Sequence, residues 1–102
     1  MVRKVLFRPS AEADLFALYD YIATVAGRGV AGTYIGRIEA ACIQLETFSE
    51  RGTKRDDLSP GLRTIGFERR VTIAFRVLPD VVEIVAIAYA GRDFSAEVDE
   101  EE

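Results

Sequence analysis

Residues 70–89 read RVTIAFRVLPDVVEIVAIAY. β-Branched and aromatic residues crowd two runs on either side of Pro79 and Asp80, where proline fixes a turn backbone, so the stretch predicts two antiparallel strands. In the first, Val71, Ile73, Phe75 and Val77 share one face, and Arg70, Thr72, Ala74 and Arg76 share the other, because side chains alternate along a strand. The second is apolar nearly throughout, as suits a strand with neighbours on both edges and cover on at least one face. LRTIGF at 62–67 supplies a strand just upstream, and the three together read as an antiparallel meander.

Working towards the N-terminus, residues 49–61 (SERGTKRDDLSPG) are polar and broken by Gly52, Pro60 and Gly61, the signature of a surface loop. Before it, Ala31, Tyr34, Ile35, Ile38, Cys42, Leu45 and Phe48 recur at helical spacing over about five turns. Earlier still, Ser10 follows Pro9 as an expected N-cap, and Glu12 and Asp14 occupy the first turn, where the helix dipole favours negative charge. Leu15, Leu18, Tyr19, Ile22 and Val25 continue that helix, and Gly27 offers a left-handed end. The break GRG is short, so the two helices should run antiparallel. VRKVLF at 2–7 reads as one more strand. The expected fold is therefore α+β, in the order β-α-α-β-β-β: a helical hairpin packed on a small, curved antiparallel sheet.

Composition narrows the chemistry. The chain has 102 residues, 49% hydrophobic and 29% charged, near the values of an ordinary globular domain. Residues 1–94 are expected to form that domain, and 95–102 (SAEVDEEE) an acidic tail that by itself has too little apolar surface to fold. No apolar run approaches the roughly 20 residues a membrane span needs, and the opening residues lack the apolar core of a secretory signal, so a cytoplasmic protein without membrane contact is expected. There is no histidine, which removes the usual neutral-pH base and the commonest metal ligand; no metal and no cofactor are expected. Cys42, the lone cysteine, lies on the apolar stripe of the second helix and reads as a core residue. Tyr19, Tyr21 and Tyr34 read first as amphipathic packing residues of the helices, with a partner contact as the alternative for one at the rim.

Net charge is −4 but unevenly spread. The last eight residues hold five acids and no base, and residues 51–76 hold seven bases against three acids. Arg70, Thr72 and Arg76, with Arg63 joining from the preceding strand, are expected to line the sheet face away from the helices. A guanidinium-rich face suits an anionic or polar chain, because the fork of Arg binds carboxylate or phosphate in a bidentate way. The competing reading pairs Arg63, Arg70 and Arg76 with Asp56, Asp57 or Glu83 and gives them no further role.

Taken in order, SAEADLFALYDYIA, CIQLETF, RGTKRDDLSPGLR, the strand pair and AGRDF resemble the ParE branch of the RelE/ParE superfamily of bacterial toxins, over roughly residues 5–94. The resemblance implies the toxin half of a type II toxin–antitoxin pair, one that poisons DNA gyrase and blocks replication. It also implies a ParD-like antitoxin as direct partner, with DNA reached only through that antitoxin. Arg55, Arg63, Arg70 and Arg76 are the candidates for antitoxin contact. Tyr89 and Arg92, at the end of the last strand where Gly91 allows an abrupt exit, are the candidates for the toxic surface. The RelE branch, which cuts mRNA in the ribosome, is the alternative. Its basic and aromatic set finds Lys54, Arg55 and Arg92 here, but its in-strand arginine falls on Thr72 and its tyrosine on about Val98. No catalytic residue is expected, since cutting RNA needs a group that takes a proton and charges that hold the phosphate. A third possibility, an inactive module that merely docks the antitoxin, stays open.

Overall fold

The computed structural model describes residues 3–89. The expected acidic tail, and with it Arg92, Gly91 and Asp93, lies outside the described residues. Strand β1 (Lys4–Phe7) leads into helices α1 (Pro9–Ala26) and α2 (Arg28–Ile43), and a single 3-10 turn (Gln44–Glu46) follows. Strands β2 (Thr53–Lys54), β3 (Leu62–Phe67), β4 (Val71–Val77) and β5 (Val81–Tyr89) complete the fold. The sheet order is β1-β5-β4-β3-β2.

The α+β hairpin-on-sheet architecture is as expected, with two refinements. β1 joins β5 in parallel, Lys4 opposite Val81 and Phe7 opposite Ile84, which makes the sheet mixed. The two intervening helices carry the chain back, as a parallel pairing requires. The polar loop also contributes β2, which pairs with Arg63 and Thr64 as a fifth strand. Gly52 governs where that pairing stops. Its φ is +80°, and a Cβ there would fall 2.2 Å from the Thr64 carbonyl oxygen and 2.5 Å from Ile65 Cγ2, so only glycine lets the chain turn so close to β3.

Residues facing the helices form the main core, in which Ile38, Cys42, Leu45, Ile73, Phe75, Val82 and Ile84 are fully enclosed. A bulge alters the alternation at its centre: Ala74 faces Ala86 and Phe75 faces Ile84, leaving Val85 as the extra residue. Val85 and Ala86 both turn to the other side of the sheet, where they pack with Leu62, Ala74 and Ala88 beneath Leu58 of the loop. β5 is apolar because both its faces are covered.

α1 departs from expectation at its start. Pro9, rather than Ser10, opens it, since a first-turn residue needs no N–H partner, and no side chain caps the end. Ser10 is spent elsewhere: its hydroxyl donates to the Val85 carbonyl at 2.6 Å. Asp14 is likewise not a surface dipole residue but is buried, and accepts the Ile87 N–H at 2.9 Å. Both serve the part of β5 that β1 is too short to reach. The break between the helices is Gly27 alone, at φ +98°, with Arg28 and Gly29 already helical. Two residues of the predicted stripes point outward. Phe48 is exposed because the 3-10 turn advances three residues per turn and rotates the chain out of phase with α2. Val25 is exposed on the last turn of α1.

Replacing Asp14 with Ala should lower unfolding free energy by about 1–3 kcal/mol, the cost of a buried amide left without an acceptor, while Asp14→Asn should restore much of it. Gly52→Ala should cost on the order of 1–2 kcal/mol from backbone conformation alone, and more from the collision with Thr64. Urea melts followed by circular dichroism measure both.

Candidate functional site

The expected arginine face is not present as one surface. Leu62, rather than Arg63, lies opposite Arg76 and shares its side; Arg63 lies opposite Phe75 and points to the helix side, at the edge of the sheet. Its Nη1 donates to the Arg51 carbonyl at 3.3 Å, and it lines a polar cleft of about 430 Å³ with Arg3, Lys54, Glu50 and Asp56. Arg76 is largely enclosed: it donates to Ser59 Oγ and stands 3.9 Å from Glu83, which also takes a 3.0 Å ion pair from Arg8. Arg55 grips Asp57 through Nε and Nη2 at 3.0 and 2.9 Å, and that hydrogen bond holds the Asp57 carboxyl below its usual range. The pairing alternative thus describes Arg76 across the sheet, and Arg55 is paired within the loop. Sequence alternation misled because Arg70 belongs to the β3–β4 turn and because apolar residues fill the far face.

Arg70 sits in a different place. Tyr21 and Val25, one turn apart on α1, Val30 and Tyr34, one turn apart on α2, and Tyr89 at the end of β5 line a groove of about 420 Å³ with Glu68 and Arg70 at its mouth. Val25 is 64% exposed, and Tyr21 and Val30 are each 55% exposed, so the outward edge of the helical hairpin is an apolar strip with nothing described on it. The Tyr21 and Tyr89 rings meet at 6.1 Å, tilted by 54°. Beside them Tyr34 meets Phe67 at 6.2 Å, and the Arg37 guanidinium lies 5.3 Å from the Tyr34 ring centre.

The turn that delivers Arg70 is itself unusual. Phe67 and Val71 are paired, so Glu68, Arg69 and Arg70 make a three-residue tip, and Glu68 and Arg69 hold left-handed backbones with φ of 49° and 67°. Side chains disfavour that region. The Arg37–Glu68 ion pair, with Nε to Oε2 at 3.1 Å, ties the tip to α2 and satisfies the Glu68 charge. Among the described residues no ion pair engages Arg70, which leaves a cation facing an apolar groove. Burial, then Tyr89 and Glu68, raises the Tyr34 phenol against the pull of Arg37 and Arg70, so Tyr34 is a neutral group in the groove wall. Two residues proposed for separate partners, Tyr89 and Arg70, are therefore neighbours in one groove. Val30, Arg37, Phe67 and Glu68 went unnoticed in the sequence; Arg37 and Glu68 are 31 residues apart, and no local pattern links them.

Residues 5–94 match the family model of the ParE toxin of the type II toxin–antitoxin system, parDE. The chain belongs to the ParE family. The chromosomal ParDE system from P. aeruginosa is similar in structure at a TM-score of 0.76, with 27% identity over 87% of this chain and 97% of that one. Two further structures share the fold. The RelBE2 toxin–antitoxin complex from Mycobacterium tuberculosis aligns with a TM-score of 0.62 at 14% identity, over 87% of this chain and 99% of that one. The E. coli toxin RelE, in a doubly substituted variant in the free state, aligns with a TM-score of 0.66 at 15% identity, over 99% and 94%. No curated protein sequence matches. Among the described residues of this ParE-family toxin no helix is long and apolar enough to cross a membrane, and no cluster of acidic or cysteine side chains could hold a metal.

The chain's lone thiol takes no part in the groove. Cys42 is fully buried, and burial, with Glu39 nearby, pushes its thiol up to about 12. Native protein at pH 8 should therefore leave Ellman's reagent unreacted until it is unfolded. Since the folded state holds the proton more tightly, this group's contribution to stability is intact below the ordinary thiol range and is lost as pH rises towards 12. Cys42→Ala should remove that alkaline slope in pH-dependent melts.

Proposed function

We propose that this toxin acts by gripping another protein rather than by cutting a nucleic acid: it inhibits DNA gyrase in the cytoplasm, and a ParD-like antitoxin neutralises it by seating on the groove between the helical hairpin and the β5 end. The observation that carries the reading is the exposed apolar strip of Tyr21, Val25 and Val30, closed at one end by Tyr89 and Arg70. An amphipathic segment fits such a strip by burying its apolar side there and offering Arg70 a carboxylate. The antitoxin of the P. aeruginosa ParDE system is the model for that partner. DNA enters only through the antitoxin.

Against the ribonuclease reading stands the dispersal of the basic residues. Lys54 is registered through Arg63 to Phe75, whereas Thr72 lies three residues back along β4, about 10 Å towards the opposite end of the sheet. Arg55 and Arg76 are committed to Asp57 and Glu83. With no histidine present, these residues do not assemble a proton-transfer site.

Induction without the antitoxin should produce double-strand DNA breaks and a damage response while bulk mRNA stays intact. Cleaved mRNA with unbroken chromosomes would overturn the gyrase assignment, and harmless induction would leave only an antitoxin-docking module. Tyr89→Ala with Arg92→Ala should abolish toxicity. For neutralisation, Val25→Asp and Val30→Asp, both at exposed positions that spare the fold, should each weaken antitoxin binding by about 10- to 100-fold in calorimetric titration, since each removes roughly 1.5–3 kcal/mol of apolar burial.

A further inference from the structure

At the β2 edge of the sheet, strand pairing sets two cations against each other: Lys54 lies directly opposite Arg63. The Arg55 N–H donates to the Leu62 carbonyl at 2.7 Å, so Arg55 and Leu62 form a hydrogen-bonded pair and the neighbouring Lys54 and Arg63 form a narrow one. Side chains at such a pair stand about 5 Å apart at Cβ, and like charges placed there destabilise the sheet. Neither Lys54 nor Arg63 enters an ion pair among the described residues. The fold carries a repulsion that it does not relieve internally.

Two more cations converge on the same place. Arg3 is held by neutral oxygens, its Nε donating to the Leu78 carbonyl at 2.8 Å and its Nη1 to Ser49 Oγ at 3.0 Å. Arg63 is held in the same manner by the Arg51 carbonyl. Such bonds aim a guanidinium without neutralising it. Arg3, Lys54 and Arg63 line the polar cleft of about 430 Å³, and Arg3 and Arg51 line an adjoining cleft of about 360 Å³ that carries the exposed ring of Phe48. Lys4, Arg28, Arg69 and Arg70 also enter no ion pair among the described residues, but none of them lines either cleft. Of the two acids in the larger cleft, Asp56 accepts the Gly61 N–H at 2.9 Å and Glu50 is exposed, so three cations outweigh them.

The lining selects the ligand chemistry. Its apolar members are Leu62, fully buried, and Val77, half-buried, which leaves a peptide no pocket for the apolar anchor that protein interfaces depend on. Arginine forks and a lysine point charge suit phosphate oxygens, and cations mounted on separate strands suit several linked phosphates better than one. We propose that this cleft binds an oligophosphate, seated between Lys54 and Arg63 and extending to Arg3. The anion replaces the cross-strand repulsion with two attractions, so its binding stabilises the β2–β3 pairing. No bond is made or broken. The site lies apart from the groove of the helical hairpin and does not rest on the function proposed above. A free oligophosphate and a nucleoside triphosphate share this chemistry, and the Phe48 ring offers a face on which a base could stack.

Thermal melts and calorimetric titration of the full chain test it, without divalent cations and against chloride at matched ionic strength. Tripolyphosphate at about 5 mM should raise Tm by roughly 3 °C or more. Lys54→Gln and Arg63→Gln should each weaken its binding by about tenfold or more, and Glu50→Gln, which removes a repelling carboxylate, should tighten it. Without the anion, Lys54→Gln should melt no lower than the parent, since the repulsion is gone; with it, the parent should melt higher. A merely structural lysine does not produce that reversal. ATP binding more tightly than tripolyphosphate, with the difference lost in Phe48→Ser, would identify a nucleotide as the source; ATP affinity no greater would identify the free oligophosphate. A Tm rise equal to that in chloride, binding indifferent to Lys54→Gln, or a lower-melting Lys54→Gln without anion would each overturn the proposal. Duplex DNA held through Lys54 and Arg63 while tripolyphosphate stays unbound would overturn it as well.

Discussion

The structure turns on how the backbone of β5 is satisfied along its β1 side. β1 pairs with only Val81–Ile84 of a nine-residue strand, so the backbone beyond Ile84 would face the core without partners. Buried peptide groups in that condition are costly. α1 supplies what β1 does not: the Arg8 N–H reaches the Ile84 carbonyl at 2.9 Å, Ser10 reaches Val85, and Asp14 receives Ile87. Three contacts over two helical turns fix the helix against the strand in both position and rotation. Tyr21 lies seven residues beyond Asp14, about 10 Å along the axis, and so arrives against Tyr89, two residues beyond Ile87. The groove is a consequence of that alignment rather than a separate feature.

What sequence alone disclosed, and what it did not, follows from the range of each interaction. Strand and helix positions were legible because period-2 and period-3.6 patterns are local, and Ile38, Cys42, Ile73 and Phe75 were placed in the core correctly for that reason. The parallel pairing of β1 was not legible, since it joins residues more than 75 apart. Ser10 and Asp14 looked like helix-start residues because that is their local preference, and a tertiary demand from β5 overrode it. Within the candidate site, Tyr89 and Arg70 were singled out, but as parts of different surfaces. Their meeting depends on the turn at Glu68 and Arg69, whose left-handed backbone no residue type there announces.

The distribution of guanidinium groups shows how much of a basic surface is structural. Seven bases between residues 51 and 76 suggest a large electrostatic face, yet counting charges takes no account of what the fold does with them. Arg76 is enclosed with Glu83 and Ser59 at the margin of the apolar layer beneath Leu58, where an unpaired charge would be far costlier than a paired one. Arg55 straddles Asp57 and shapes the loop that covers this layer. Electrostatic interaction with a ligand is left to cations whose counter-charge is not supplied internally, and Arg70, without an ion pair among the described residues, borders the groove of Tyr21, Val25 and Val30.

Groove and strand end are physically one place. Tyr89 is both the last described residue of β5 and a wall of the groove, so a ligand lying along Val25 and Val30 and reaching Arg70 also covers the point where the chain leaves the sheet. Under the function proposed above, occupancy of the groove suffices to cover Tyr89, with no conformational change in the domain. The rigid alignment of α1 with β5 favours this, because a preformed surface spares the ligand the cost of ordering the protein it binds. A helical hairpin anchored at its inner side by buried hydrogen bonds, with its outer edge left apolar and open, is suited to being covered and uncovered while the sheet beneath it stays unchanged.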